Sequence, residues 1–353
     1  MRENGCTFEK LSRLIDEKAC VARLSEACRD LRDEATSELP FLYGASLLGV
    51  RSRWRDAVAL LMEVESLSCF GEALQDYLIR HKGAATKPAF LKARPFDVWS
   101  KTSFYERHME SALDVMGRFM EGIGSFPRLQ LIDLGTGNGM LFAVFVRRMF
   151  ERQLLHSGVA VLIDQSEDML SVARQRCASI RQLEFRYLQR TIESLTSADF
   201  KTTGPVVPTV ALAALSLHHL SEEAKRTVLQ MLQEVAEYCI VVEMHGNHDV
   251  PEQGSVELIR SVAEVYGYFV ADITNSNLSH CEKQVCLDGL VMAEAIAILT
   301  RPRITRGDYH TPLDRWQSIA EAAGYTVVQT AQLVTLPRRP VTFALQLRRD
   351  HSF

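Results

Sequence analysis

No run of roughly 18 or more apolar residues occurs in this 353-residue chain, so no membrane span is expected. The first residues include Arg2, Glu3, Glu9 and Lys10 and show no hydrophobic leader segment. Eight cysteines are scattered as Cys6, Cys20, Cys28, Cys69, Cys177, Cys239, Cys281 and Cys286, and no pair forms C-x-x-C. That spread argues against a disulfide framework and for a reducing, cytoplasmic setting. The net charge is only −4 and no basic stripe stands out. A nucleic-acid partner or an acidic lipid surface is therefore not expected. Internal repeats and low-complexity tracts are also missing.

What is present is the mix of a soluble globular protein, 47% hydrophobic and 24% charged. The length suits one α/β domain plus an extension. Helical periodicity runs through 6–38, where Pro40 closes it, and again through 53–80. His81–Pro88 reads as a linker. A helix from residue 96 is broken by Gly122, Gly124 and Pro127. Strands are then expected at Leu129–Leu134, Val159–Asp164, Leu183–Leu188, Val206–Leu215 and Cys239–Glu243. Helices are expected at Met140–Phe150, Glu167–Cys177 and Ser221–Glu237. Such alternation predicts a parallel sheet with helices on both faces. Ser255–Tyr268 and Lys283–Leu299 read as an inserted helical segment, and Pro312–Ala323 as a last helix. Tyr325–Gln332 and Val341–Leu347 would close the sheet, joined through residues 336–340.

The most informative stretch is 131–139, Leu-Ile-Asp-Leu-Gly-Thr-Gly-Asn-Gly. An apolar strand carrying Asp133 meets Gly135, Thr136, Gly137, Asn138 and Gly139, and a helix follows. Glycine lets backbone approach a ligand closely, and the helix start presents free N–H groups. The spacing is G-x-G-x-G, with Met140 where a dinucleotide fingerprint has its third glycine. A carboxylate at Asp133 would repel a pyrophosphate but suits a cationic amino group. This D-x-G-x-G-x-G pattern resembles motif I of the class I S-adenosylmethionine (SAM) methyltransferases. The resemblance implies SAM as cofactor and S-adenosylhomocysteine as product. Asp164, with Gln165 and Ser166 behind it, would then receive the ribose hydroxyls. Where family members often place an acid for the adenine amino group, this chain has Thr191 and Ile192. Ser216, after the fourth strand, completes the expected cofactor set.

Leu-His-His-Leu at 217–220 also follows strand four, as in many small-molecule methyltransferases. His218 or His219 could take an acceptor proton, or both could simply orient the loop. After strand five come Glu243, His245, Asn247, His248 and Asp249. Glu243 and His245 are candidates for acceptor orientation or base work. His245 and His248 have an H-x-x-H spacing, but on a loop that spacing fixes no ligand geometry, and no metal site is expected.

Residues 241–328 carry a second resemblance, to the second half of GRAS-domain proteins. Its V-x-E-x-x-x-N-H element is Val241, Glu243, Asn247 and His248, and its closing element is Trp316, Ala323, Gly324 and Tyr325. The resemblance implies a Rossmann-like α/β methyltransferase core with a seven-stranded sheet. It also implies an N-terminal helical region (1–95) and a helical insertion at about 250–310, which together cap a substrate. The core domain would then be 96–353. With its glycine motif and Asp164, the chain is similar to the bacterial, enzymatic kind. Trp99, Tyr105, Asn247, His248, Tyr266 and Phe269 would line the substrate pocket, and Arg301, Arg303 and Arg306 read as a solvated charge run.

Three functions are open at this point. The first is a SAM-dependent methyltransferase acting on a small molecule, such as a natural-product intermediate. The second is a binding or regulatory module that keeps the fold without the chemistry. The third, a nicotinamide-dependent oxidoreductase, is disfavoured by Met140 and Asp133. Base methylation lacks an N-P-P-Y type element, and a homodimer is left open.

Overall fold

The computed structural model describes residues 7–31, 38–84, 93–201, 207–336 and 339–350. Cys6, residues 32–37 of the expected helical stretch, the second half of the expected linker (85–88), the strand start expected at Val206, and Pro337 and Arg338 lie outside these residues. The chain divides into two compact units. A helical unit holds the described residues before 85 with Arg94–Phe104 and Gly246–Tyr309. A sheet unit holds Ala93, Tyr105–His245 and the described residues from His310 onward. The N-terminal region and the insertion thus fall in the same unit.

The helical unit opens with α1 (Thr7–Asp16), α2 (Val21–Leu31), α3 (Leu39–Val50), α4 (Trp54–Leu61) and α5 (Cys69–His81). The single helical stretch expected over 6–38 is split between α1 and α2, where Lys18 takes a left-handed φ of 57°. Pro40 begins a helix here and does not merely close one. It sits in the first turn of α3, where a missing N–H costs nothing. Every residue of α3 from Leu39 to Gly49 is buried. A helix apolar on all sides lies inside its unit and has no amphipathic period to read. The next helices are α6 (Ala93–Trp99) and α7 (Ser103–Ile123), which is divided between the units after Phe104. In the insertion, α11 (Val256–Asn275) is followed by α12 (His280–Cys286) and α13 (Met292–Thr300), joined by a π-helical turn. Asp272 on α11 accepts from Ser103 Oγ (2.6 Å) and the Phe104 N–H (3.1 Å), satisfying the start of α7.

The sheet unit is built on β1 (Leu129–Leu134), β2 (Gly158–Asp164), β3 (Leu183–Gln189), β4 (Thr209–Ala214) and β5 (Tyr238–Met244), all parallel. Two further strands, β6 (Tyr325–Leu336) and β7 (Arg339–Arg349), pair antiparallel with each other, and β7 pairs antiparallel with β5. The order is β3-β2-β1-β4-β5-β7-β6. Helices α8 (Met140–Glu151), α9 (Glu167–Cys177), α10 (Glu222–Gln233) and α14 (Leu313–Ala322) complete the unit.

Alternate strand residues face opposite sides of a sheet. Leu129, Leu131, Ala160 and Leu162 join Phe142, Phe145 and Ala173 in one core layer with α7, α8 and α9. Ile132, Leu134, Val161 and Ile163 join Leu229, Trp316 and Ile319 in the other, with α10 and α14. Burial on both faces explains why these strands read as continuous apolar runs.

The β1–β2 pairing leaves no room at Gly158, where an added Cβ would lie 2.0 Å from the Leu129 carbonyl oxygen. Gly158→Ala is expected to cost at least about 1–3 kcal/mol, read as a lower urea midpoint with an unchanged slope.

Candidate functional site

In open α/β sheets, ligands bind beyond the carboxyl ends of the strands where the strand order reverses. Here that point lies between β1 and β4. The glycine turn leaves β1 and the loop 215–219 leaves β4, so topology alone brings both to one crevice.

Gly135, Gly137 and Gly139 all have positive φ, 67°, 54° and 72°. Each glycine answers a different demand. A Cβ at Gly135 would lie 2.4 Å from Ser216 Cβ and 3.6 Å from Ile192 Cδ1, so three loops converge on it. A Cβ at Gly139 would lie 2.8 Å from Ala173 Cβ, so this glycine seats α8 against α9. At Gly137 a Cβ would meet nothing within 4 Å. Its backbone fronts open space.

Asp164 sits at the end of β2 and fixes this turn. Its carboxylate accepts the Gly137 N–H at 2.9 Å and the Ser166 N–H at 2.8 Å. Burial pushes its pKa up, while those two N–H donors and the charge of His219 pull it down. Asp133 is buried beneath the turn, and burial raises its pKa to about 7. The Thr136 side chain offsets part of that shift and the Asp164 charge adds to it.

The other expected cofactor residues divide. Ser216 and Ile192 lie against Gly135. Gln165 and Thr191 are exposed beside the turn-bearing strands, and Thr191 starts a short 3-10 turn over Ile192–Ser194. Asn138 departs from expectation. It is buried, and its Oδ1 accepts the Met140 N–H at 3.1 Å, so the side chain serves the start of α8.

Glu243 is fully buried at the end of β5 and organises the loop after β4. Its Oε1 accepts the N–H groups of Ser216 (3.1 Å), Leu217 (2.8 Å) and His218 (3.2 Å). Its Oε2 lies 2.9 Å from His218 Nδ1. Burial raises its pKa, but His218, Lys225 and the Leu217 N–H outweigh this, and the net shift is downward. With these partners Glu243 positions the loop and is not a free base. The loop needs such a hold, because Leu215 has φ 52°. A left-handed leucine costs roughly 1–2 kcal/mol.

The His218 ring lies between two others, with His219 at 4.2 Å and His310 at 4.5 Å between ring centroids. His310 was not expected from the sequence, since Asp-Tyr-His-Thr at 308–311 has no motif around it. Buried Lys225 was missed as well; its Nζ donates to Thr311 Oγ1 at 2.6 Å and lies over the Trp316 ring. His108, also buried, lies 3.2 Å from Thr342 Oγ1, and burial lowers its pKa to about 4. His245 takes a structural part. Its Nδ1 accepts the Leu313 N–H at 3.4 Å, at the start of α14.

The residues expected to line a substrate pocket are used mostly for packing. Trp99, Phe104 and Phe269 form one aromatic cluster with centroid separations of 5.0–6.0 Å. Tyr266 is buried, stacks on His248 at 6.0 Å and donates to Glu294 Oε2 at 3.2 Å. Asn247 bonds Ser261 and Glu257. Tyr105, in the sheet unit, is buried beside the His108 ring. Aromatic pairs at these separations add to the stability of a core beyond the area they bury. The arginine run is not a solvated one either. Arg306 is buried and donates to the carbonyls of His248 and Pro251, both at 2.8 Å. Arg303 pairs with the buried Asp249 carboxylate at 3.0 Å.

No family model matches the chain, and no curated protein does. Solved structures do. SCL7 of Oryza sativa, a GRAS-domain protein, superposes with a TM-score of 0.63 at 14% identity, over 88% of this chain and 99% of that one. The chain has the Rossmann-like fold of the GRAS domain. Magnesium protoporphyrin IX methyltransferase from Synechocystis PCC 6803, with bound SAH, matches at TM-score 0.44 and 14% identity, over 72% of this chain and 94% of its own. The 1,6-didemethyltoxoflavin-N1-methyltransferase of Burkholderia thailandensis matches at 0.40 and 14%, over 72% and 82%. Among the described residues, no helix is long and apolar enough to cross a membrane.

Removing the buried Glu243 carboxylate leaves three N–H groups and an imidazole without their acceptor. Glu243→Ala is expected to cost about 3–5 kcal/mol, and Glu243→Gln, which keeps one acceptor oxygen, clearly less. Urea unfolding followed by circular dichroism measures both.

Proposed function

We propose that the protein is a SAM-dependent methyltransferase acting on a small-molecule acceptor. One observation carries this reading most. At the β1–β4 switch point, a left-handed Gly137 fronts open space with its N–H held by the Asp164 carboxylate. The residues around that space fit SAM. Asp164 can take the ribose hydroxyls, which form charge-assisted bonds with a carboxylate. Asp133, ionised, can face the cationic amino group. Ile192 and Thr191 are assigned to the adenine side, with Ile192 offering packing in place of an acid.

Bound SAM would supply an activated methyl group that passes to the acceptor, leaving S-adenosylhomocysteine. The protein's share is chiefly alignment and exclusion of water. The Gly135–Ser216 contact locks the cofactor turn to the loop carrying His218 and His219. That loop is rigid because Glu243 grips three of its N–H groups. In this reading His218 and His219 form the acceptor side of the site, with Glu243 as their positioning residue. The acceptor is read as a small molecule, such as a natural-product intermediate.

Calorimetry tests the reading directly. SAM and S-adenosylhomocysteine should both bind, and absence of heat with either at high protein concentration would sink the proposal. Asp164→Ala should weaken SAM by about 10–100-fold, the size of a lost charged hydrogen bond. Binding with no methyl transfer to any member of a broad acceptor panel, together with a protein partner in pull-downs, would favour a GRAS-type regulatory module instead.

The raised pKa of Asp133 gives a pH signature. Its folded-state value near 7 means that a proton must leave before the carboxylate can hold an ammonium group. SAM affinity should therefore rise from pH 6 to pH 8, by up to tenfold per unit below about 7. Asp133→Asn should abolish that slope. The same shift makes the ionised group a stability cost that grows as pH rises from about 4 to 7. Asp133→Asn should accordingly raise the Tm at pH 8 but not at pH 4.

A further inference from the structure

Methyl transfer needs alignment, and the groups gathered at the acceptor side exceed that need. His218, Glu243 and His310 are exposed by only 2%, 0% and 1%. They come from three separate places: the turn after β4, the end of β5 and the segment before α14. Each offers a donor atom, and the three donors lie within 4.8 Å of one another. His218 Nδ1 and Glu243 Oε2 are already 2.9 Å apart, and the His218 and His310 rings are nearly parallel, 17° between planes.

Donors bound to one ion at 2.0–2.2 Å stand about 3–4 Å apart. The observed set therefore needs side-chain shifts of roughly 1 Å to close on an ion. The pieces are also held in place. Glu243 is fixed by the N–H groups of residues 216–218. His310 is fixed through its neighbour Thr311, whose hydroxyl accepts the Lys225 ammonium.

The donor chemistry selects the ion. Two imidazoles and one carboxylate suit zinc or iron(II), whereas calcium and magnesium want oxygen ligands. Three protein ligands leave at least one coordination position open, as in catalytic sites.

We propose that His218, Glu243 and His310 form a three-ligand site for a divalent transition-metal ion of the zinc type, with an open position for an oxygen of the acceptor. The ion would lower the pKa of an acceptor hydroxyl and hold its oxygen in place. That use rests on the methyl-transfer reading; the binding of the ion does not.

The test uses the full chain, freed of metal with a chelator and titrated with Zn2+ by calorimetry and with Co2+ by visible absorption. One ion per chain should bind, and Co2+ should give the d–d bands of a nitrogen- and oxygen-ligated site. His310→Ala and His218→Ala should each weaken binding by at least about tenfold, and the double variant should lose the bands. The exposed His156→Ala should change neither. Far-UV circular dichroism and the urea midpoint of the same variants show that the fold is intact. No stoichiometric binding with either ion in large excess would overturn the proposal. So would unchanged binding in the double variant. Metal binding without SAM binding would remove the methyl-transfer reading and leave the site standing.

Discussion

The carboxylate of Glu243, buried at the end of β5, accepts three consecutive N–H groups from the loop after β4 and faces the ring of His218. Much else in the site depends on this grip. A buried carboxylate is tolerated only with such partners. In return, the loop is held with Leu215 in a left-handed conformation that it would not keep alone. The held loop puts Ser216 against Gly135 and the histidines beside the β1–β4 crevice. One buried charge therefore couples β5, the β4 loop and the glycine turn.

A second constraint is the absence of side chain at three alternate positions. Gly135 admits Ser216, Gly139 admits α9, and a Cβ at Gly137 would meet nothing within 4 Å. Asp164 then orients the middle of the turn.

Legibility followed the range of the interactions. The strands β1 to β5, the closing pair β6 and β7, and helices α8, α9 and α10 follow from local patterns, because their apolar runs and caps lie in contiguous residues. Ser166 and Ser221 cap α9 and α10 as their positions suggest. By contrast, α3 escaped because burial on every side erases periodicity. The partition of α7 after Phe104 escaped too, since a helix gives no local sign of which unit each turn packs into. Trp99, Tyr266 and Phe269 looked like a substrate wall, but an aromatic side chain carries the same sequence signal in a core as in a cleft.

The sequence by itself determined the sheet, the glycine turn and the pair of acids, Asp133 and Asp164. Those depend on neighbours a few residues apart, where spacing is geometry. Only the tertiary structure decided the rest. It turned Glu243 from a candidate base into the anchor of a loop, turned His245 and Asn138 toward helix starts, and brought His310 and Lys225 to His218 and Glu243. Asn138 apart, which bonds Met140 two residues on, these roles are set by residues 25 to 92 positions apart in the chain. Such separations are closed by the packing of α10 and α14 on the sheet, and spacing in the sequence carries no record of them.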